Sequence, residues 1–482
     1  MQQVALKGQR RFWSTGFVLG LLGFLLFLVL TQWGVWRPLP DGRGILIGRV
    51  MAVTWLMGCW WISEALPIPV TSLLPMVCFP LMGVMSGHTV AREYMNEVIV
   101  LFMGGFFLAL AIQRWGLHKR LALLLLSALG TSPRRLLLGF MVTSGGLSMW
   151  ISNTATTLML LPMGLSIFAL LEERGMEKSD GFQVALFLGI AYSASVGGMA
   201  TLVGTPPNLS FVRIYALFFP NAPEVSFTAW MRLSFPISLV LLILFWVLLV
   251  WVFFRDTLRP VEAEDQLIMW LAQQKQKLGP LVGAERVVLV VFTLTIGLWI
   301  SRSDLQLGAD MTIPGWCHWF VVPAPSRPRV HNISTIQKFV SKGVSHMPAR
   351  RQKNAHTPMK RQKTWFGDGV VAMLMALVLF LWPTPGGGRV LDWETAQGIP
   401  WGMLLLFGGG FALAAGIKQS GMSIWMGQFF QWRGLSGVGT FVLLWGICLV
   451  LSFLTEFTSN MATTEISLAL VAPIVATFGG TG

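Results

Sequence analysis

Apolar positions in this chain come in long runs that carry almost no charge. A run of about 20 such residues is long enough to cross a hydrocarbon layer of ~30 Å as a helix. Nine runs qualify as candidate spans: Phe17–Trp33, Gly48–Trp61, Thr71–Val84, Val98–Ile112, Phe182–Met199, Phe235–Phe253, Val287–Ile300, Val370–Trp382 and Met403–Ile417. Two longer stretches, Leu136–Leu171 and Phe441–Phe478, are each interrupted near the middle by a polar block. The pattern predicts an all-α polytopic membrane protein. No small-residue cleavage site follows the first run, so it reads as a span and not as a signal peptide.

The interruptions are related. "SNTATT" (Ser152–Thr157) falls on "SNMATT" (Ser459–Thr464) at an offset of 307 residues, with five of six positions identical. The residue four before each Ser is also a hydroxyl, Ser148 and Thr455. At an offset of 305, "LFMGGFFLALAI" (Leu101–Ile112) falls on "LFGGGFALAAGI" (Leu406–Ile417), with eight of twelve identical, and Gly116 keeps step with Gly421. Two motifs repeated in the same order mark an internal repeat. In helical membrane proteins such repeats accompany transporters whose site lies at the repeat interface, although some channels also carry them.

Composition agrees with a bilayer setting. Of 482 residues, 54% are hydrophobic and only 12% charged, with mean hydropathy +0.66. The net charge of +14 would point to nucleic acid in a soluble chain. Here the basic residues lie mostly between spans, where they set orientation, so no nucleic-acid partner is expected. Lys7, Arg10 and Arg11 place the N-terminus in the cytoplasm, and Arg114, Lys119, Arg120, Arg134 and Arg135 fall on the same side. Residues 317–363 stand apart, with ten Lys/Arg, four His and no Asp or Glu. They read as a disordered insertion unrelated to transport or as a mobile extracytoplasmic loop. Cys59, Cys78, Cys317 and Cys448 show no metal-ligand spacing, and three of them read as inert core residues. No nucleophile–base pairing is visible, so an enzyme is not expected.

Why a membrane segment carries a Ser-Asn-Thr block is a question of backbone satisfaction. Inside lipid an unpaired N–H or C=O costs several kcal/mol, so a helix breaks only where protein or a water-filled cavity receives its ends. Leu136–Leu171 therefore predicts two half-helices meeting at Ser152, as a hairpin entering and leaving on one side. Asn and Ser favour such a break because they bond local backbone. Freed carbonyls, with the oxygens of Ser148 and Asn153, are hard neutral ligands suited to an alkali cation. The N-terminus of the outgoing half-helix offers N–H groups and a positive dipole end to an anion. The competing reading is that these residues simply hold helices together.

A further break is expected at "GTPPN" (Gly204–Asn208), where consecutive prolines remove two donors and force the preceding residue out of the helical region. Three acids lie in apolar context, Glu64, Glu456 and Glu465. A proton-coupled mechanism would use one of them.

On the paired Ser-Asn-Thr blocks and the Gly-Thr-Pro-Pro-Asn turn, the chain resembles the divalent anion:sodium symporter family of dicarboxylate, citrate and sulfate transporters. The resemblance runs over residues 14–300 and 365–478. It implies sodium-coupled symport of a divalent anion, most plausibly a C4-dicarboxylate such as succinate or malate, in a bacterial inner membrane. A sodium-independent exchanger, a citrate or sulfate carrier, and a channel or inactive relative remain alternatives. It implies a homodimer, inverted repeats, re-entrant hairpins, discontinuous helices, and scaffold and transport domains moving as an elevator. Sodium is then expected at Ser148, Asn153 and Gly204, and again at Thr455 and Asn460, with no organic cofactor. Substrate is expected at Ser152, Asn153, Thr154, Thr205, Pro206, Ser459 and Asn460. Met461 departs from the family's Thr and reads as a change in selectivity.

The implied layout is a cytoplasmic N-terminus (1–12), first-repeat scaffold helices (13–120) and first-repeat transport elements (121–254). A cytoplasmic linker (255–286), a scaffold helix (287–302) and the basic insertion (303–365) follow. Second-repeat scaffold helices (366–430) and the second hairpin (431–482) close it. The repeat offset puts a counterpart of Gly204-Thr205-Pro206 beyond Gly482, so the sequence is expected to be incomplete.

Overall fold

The computed structural model describes residues 2–36, 44–130, 132–172, 180–255, 264–281, 283–306, 312–320, 366–432 and 440–478. They form two compact units, one of residues 1–300 with 368–482 and one of residues 301–367.

The large unit is helical. Its first half runs α1 (Gln2–Gln32), α2 (Gly44–Ser63), α3 (Ile68–Thr71), α4 (Leu74–Leu81), α5 (Gly87–Tyr94), α6 (Glu97–Arg114) and α7 (Leu117–Leu129). Then come α8 (Pro133–Ser148), α9 (Asn153–Glu172), α10 (Asp180–Met199), α11 (Pro206–Phe218), α12 (Phe227–Val247, continued by a π-helical turn to Phe253), α13 (Glu264–Leu278) and α14 (Gly283–Arg302). After the small unit follow α15 (Asp368–Leu381), α16 (Trp393–Ala396), α17 (Trp401–Ser420), α18 (Met422–Trp432), α19 (Thr440–Phe457) and α20 (Asn460–Phe478). Among the described residues, seven stretches are long and apolar enough to cross a membrane. Shorter apolar helices include the one after the first polar block and those on either side of the second.

Three expectations change. The run Thr71–Val84 is not one span but the end of α3 and then α4, because Pro75 in the first turn of α4 lacks the N–H that would continue α3. The linker 255–286 contains α13, whose Leu267 and Leu271 lie four apart on one face and are buried with α7, α8 and α10. Cys448 is exposed on α19 and not part of a core. The reading of residues 317–363 falls, beyond Phe320, on residues outside those described. The part described in the small unit is an antiparallel ribbon of Leu305–Gln306 with Thr312–Ile313, followed by a 3₁₀ turn at Trp316–Phe320. There Asp304 accepts from the Gly315 N–H (2.9 Å) and sits 2.8 Å from His318 Nε2.

The repeated motifs become repeated structure. α6 and α17 both carry the Leu-Phe-x-Gly-Gly pattern, and the glycine after each, Gly116 and Gly421, is left-handed (φ 70° and 82°). Each glycine lets the chain turn directly into the next helix, α7 or α18, without the Cβ penalty of other residues. The main apolar core surrounds α8, where Phe140, Phe182, Leu186 and Ile190 are fully enclosed.

Candidate functional site

The first polar block interrupts a helix as its sequence requires. α8 ends at Ser148, four residues bridge the gap, and α9 starts at Asn153. The Ser152 hydroxyl accepts from the Ala155 N–H (3.3 Å) and its carbonyl from the Thr156 N–H (3.0 Å), which caps the new helix. The Thr157 hydroxyl donates back to the Asn153 carbonyl (2.9 Å). Trp150 anchors the bridge, with its ring 5.1 Å from Phe292 and 6.2 Å from Phe227.

A second interruption lies against it. α10 ends at Met199 and α11 begins at Pro206, with Thr205 extended (φ −143°, ψ 142°) and the prolines in the first helical turn. Six non-helical residues, Ala200–Thr205, thus sit inside an otherwise apolar span. Their polar groups are met by side chains with no binding role expected from the sequence. Asn208 Nδ2 donates to the carbonyls of Gly198 (3.0 Å) and Thr201 (2.7 Å). The Thr201 hydroxyl donates to the Met149 carbonyl (2.5 Å) and accepts from the Gly204 N–H (3.1 Å), so it joins the two breaks. Trp230 Nε1 donates to the carbonyl of Met199 (2.9 Å).

Oxygens concentrate where the breaks touch. Ser148 Oγ donates to Asn153 Oδ1 (2.6 Å), and Ser148 is fully buried. A Cβ on Gly204 would lie 2.6 Å from the Gly198 carbonyl oxygen and 2.9 Å from that of Ser148. A Cβ on Gly198 would strike Asn153 Oδ1, and one on Gly197 would strike the Gly145 carbonyl. The glycines therefore serve two distinct approaches: Gly197 packs α10 on α8, while Gly198 and Gly204 leave room for the oxygens. Ser144 Oγ reinforces the first contact by donating to the Ile190 carbonyl (2.7 Å).

Of the expected residues, Ser148, Asn153 and Gly204 come together, with Thr205 and Pro206 at the start of α11 beside them. Thr154 is exposed in the first turn of α9, and the hydroxyl of Ser152 is used as a cap. The donor set of hydroxyl, amide and carbonyl oxygens fits a small alkali cation. Gly198, Thr201 and Asn208 were missed. Their signal was a run of small and polar residues within an apolar span, "GGMATLVGTPPN".

The second block interrupts its helix in the same way. α19 ends at Phe457 and α20 starts at Asn460, and the Thr464 hydroxyl donates to the Asn460 carbonyl (2.7 Å), as Thr157 does to Asn153. Its oxygens nevertheless pair differently. Thr455 donates to the Ser452 carbonyl (2.9 Å), Thr458 lies 2.6 Å from Thr463, Ser459 is half-buried and Asn460 is exposed. A half-open cleft of about 150 Å³ lies between α19 and α20; Leu451, Leu468 and Val471 line it beside Thr455, Thr463, Thr464 and Ser467, and its surface is mostly apolar. Among the described residues, Thr455 and Asn460 do not form the contact seen between Ser148 and Asn153. The acids separate as well: Glu64 is an exposed, left-handed residue after α2, Glu456 is exposed, and Glu465 is buried.

Interrupted apolar helices whose breaks meet at neutral oxygens suit a polytopic membrane protein that passes small polar cargo, and comparisons with known proteins place the chain among transporters. The chain belongs to the CitMHS family, described as citrate transporters, whose model matches residues 59–481. It is 36% identical over 467 residues to a sodium-dependent dicarboxylate transporter, SdcS, of Staphylococcus saprophyticus, covering 95% of this chain and 78% of that one. To SdcS of Staphylococcus aureus it is 35% identical over 477 residues, 97% of this chain and 79% of the relative. These relatives bear out the resemblance to the divalent anion:sodium symporters.

Proposed function

We propose that the chain couples sodium entry to uptake of a small dianion, a C4-dicarboxylate first among candidates. The observation that carries this reading is the cradle of Ser148, Asn153, Gly198 and Gly204 beside the starts of α9 and α11, with no Arg or Lys in either block or in the Gly204–Asn208 turn. Sodium is cargo here. Ser148 Oγ, Asn153 Oδ1 and the Ser148 and Gly198 carbonyls would receive it. A dianion has no fixed positive charge to meet, so its carboxylates rely on helix N-termini, on Thr154 and Thr205, and on the cations already bound. Sodium bound first completes the anion seat, which is a physical basis for symport. If more than two sodium ions accompany each dianion, net positive charge moves inward, worth about 2.3 kcal/mol per charge per 100 mV.

The architecture that goes with this reading is a homodimer of inverted repeats. In it the paired half-helices α8–α9 and α19–α20 form re-entrant hairpins, and together with α10–α11 they travel against a scaffold. Thr455, Ser459 and Asn460 would contribute a second seat through neighbours other than those described. The names of the relatives support a dicarboxylate, and the family description supports citrate as the second reading. Uptake of labelled succinate into proteoliposomes is expected to require external sodium and to be competed by malate. Uptake unchanged when choline replaces sodium would overturn the proposal, and competition by citrate but not malate would select the second reading.

A further inference from the structure

The repeat breaks down at one position in a way the sodium cradle does not use. Leu158, on the first outgoing half-helix, is exposed, whereas its counterpart 307 residues on is Glu465, only 1% exposed. Glu465 lies where α20 packs between α11 and α17. Its Oε1 accepts from the hydroxyl of Ser210 on α11. Its Oε2 has no hydrogen-bond partner, and it lies so close to Gly410 of α17 that a Cβ there would overlap it.

Five helices pack on α20, and the charged and titratable groups they bring are few. On α11, Arg213 is held by Glu93 of α5 (2.5 Å), and Tyr215 stacks on Phe211 and Phe219. On α17, Lys418 donates to the Leu217 carbonyl. On α2, Arg49 donates to the Met82 carbonyl and Cys59 is half-buried. On α19, Glu456 and Cys448 are exposed, and α18 carries no titratable residue. Among the described residues, no cation is therefore placed to neutralise Glu465. An enclosed carboxylate with one hydroxyl donor and no counter-charge costs several kcal/mol more than the neutral carboxylic acid in the same place.

We propose that Glu465 is a proton-binding site, filled while α20 is seated on α17 and emptied when that contact opens. Opening breaks the O–H bond, leaves the electron pair on the carboxylate and hands the proton to water. That the opening belongs to the transport cycle rests on the symport reading above. The proton site itself does not.

The test uses the full chain in lipid. Infrared difference spectra are expected to contain the carbonyl stretch of a buried carboxylic acid that Glu465→Gln lacks, and sodium with succinate is expected to diminish it. A spectrum identical in wild type and variant overturns the site. A band indifferent to sodium and succinate in a chain that takes up succinate overturns the coupling. If the Gln variant does not fold, Ser210→Ala, which removes the donor and keeps the acid, is expected to shift the band, and an unshifted band counts against the assignment. If wild type fails to accumulate succinate with sodium, the symport reading fails, and the ligand-free band still decides whether Glu465 holds a proton.

Discussion

The two polar breaks share nearly the same six residues and differ in what surrounds them. At the first, Ser148 reaches Asn153, and a second interrupted helix lays Gly198 and Gly204 against the pair. At the second, Thr455 turns back to Ser452, and Asn460 faces outward. The local part of the motif behaves alike in both copies: Thr157 and Thr464 bond the carbonyl four residues back, and the following helices both start at Asn. A Ser-Asn-Thr block therefore specifies where a helix stops and restarts. A cradle of oxygens additionally needs a second break brought against it.

The sharpest way to break this comparison is Asn153→Ala. Losing one member of a buried polar pair typically costs about 1–3 kcal/mol, so sodium-dependent succinate uptake is expected to fall roughly tenfold or more. Next comes Gly198→Ala, whose methyl would intrude on Asn153 Oδ1. Overpacking of about 1–3 kcal/mol is expected to raise the sodium concentration for half-maximal uptake several-fold. Gly446→Ala on α19, where a Cβ meets nothing within 4 Å, should leave it unchanged.

Gly116→Ala and Gly421→Ala test whether the two turns are equivalent. Each puts a Cβ on a left-handed residue, at about 1–2 kcal/mol, and the two thermal midpoints should drop alike.

The end of α6 is tied by Arg114 to Asp392 (2.5 Å), a pair that the end of α17 does not repeat. Arg114, helped by the Thr395 N–H and hydroxyl, holds the Asp392 carboxyl below the usual Asp range. The stability this gives is present above the ordinary Asp value of about 4 and is lost as pH falls through the lowered one. Because the pair is partly exposed, at most about 1 kcal/mol is at stake. Thermal melts of Asp392→Asn and wild type should therefore differ near neutrality and converge in acid.

A smaller effect is expected for Asn460→Ala, about twofold or less in uptake, since an exposed side chain without partners among the described residues rarely exceeds about 0.5 kcal/mol. A loss as large as that of Asn153→Ala would show that the second block has a cradle of its own.

Much of this was legible in the sequence, for identifiable reasons. Charge-free runs give spans because unpaired charge is costly in lipid; the breaks at Ser152 and Ser459 follow from Ser and Asn bonding local backbone, and the one at Gly204 from prolines that cannot continue a helix. The repeat located Gly116 and Gly421 before any geometry was known. Thr71–Val84 misled because apolarity was weighed above its prolines. Thr201 and Asn208 were overlooked because their partners are backbone carbonyls, which leave no signature of their own. The burial of Glu465 depends on a glycine 55 positions away and a serine 255 away, a packing relation that no local pattern carries.

Thr201 deserves a mechanical reading. A single hydroxyl rivets the carbonyl end of one half-helix pair to the amide beginning of the other. Under the proposed symport, straightening either break would pull on its neighbour through this hydroxyl, and Thr201→Val is expected to weaken sodium and succinate binding together.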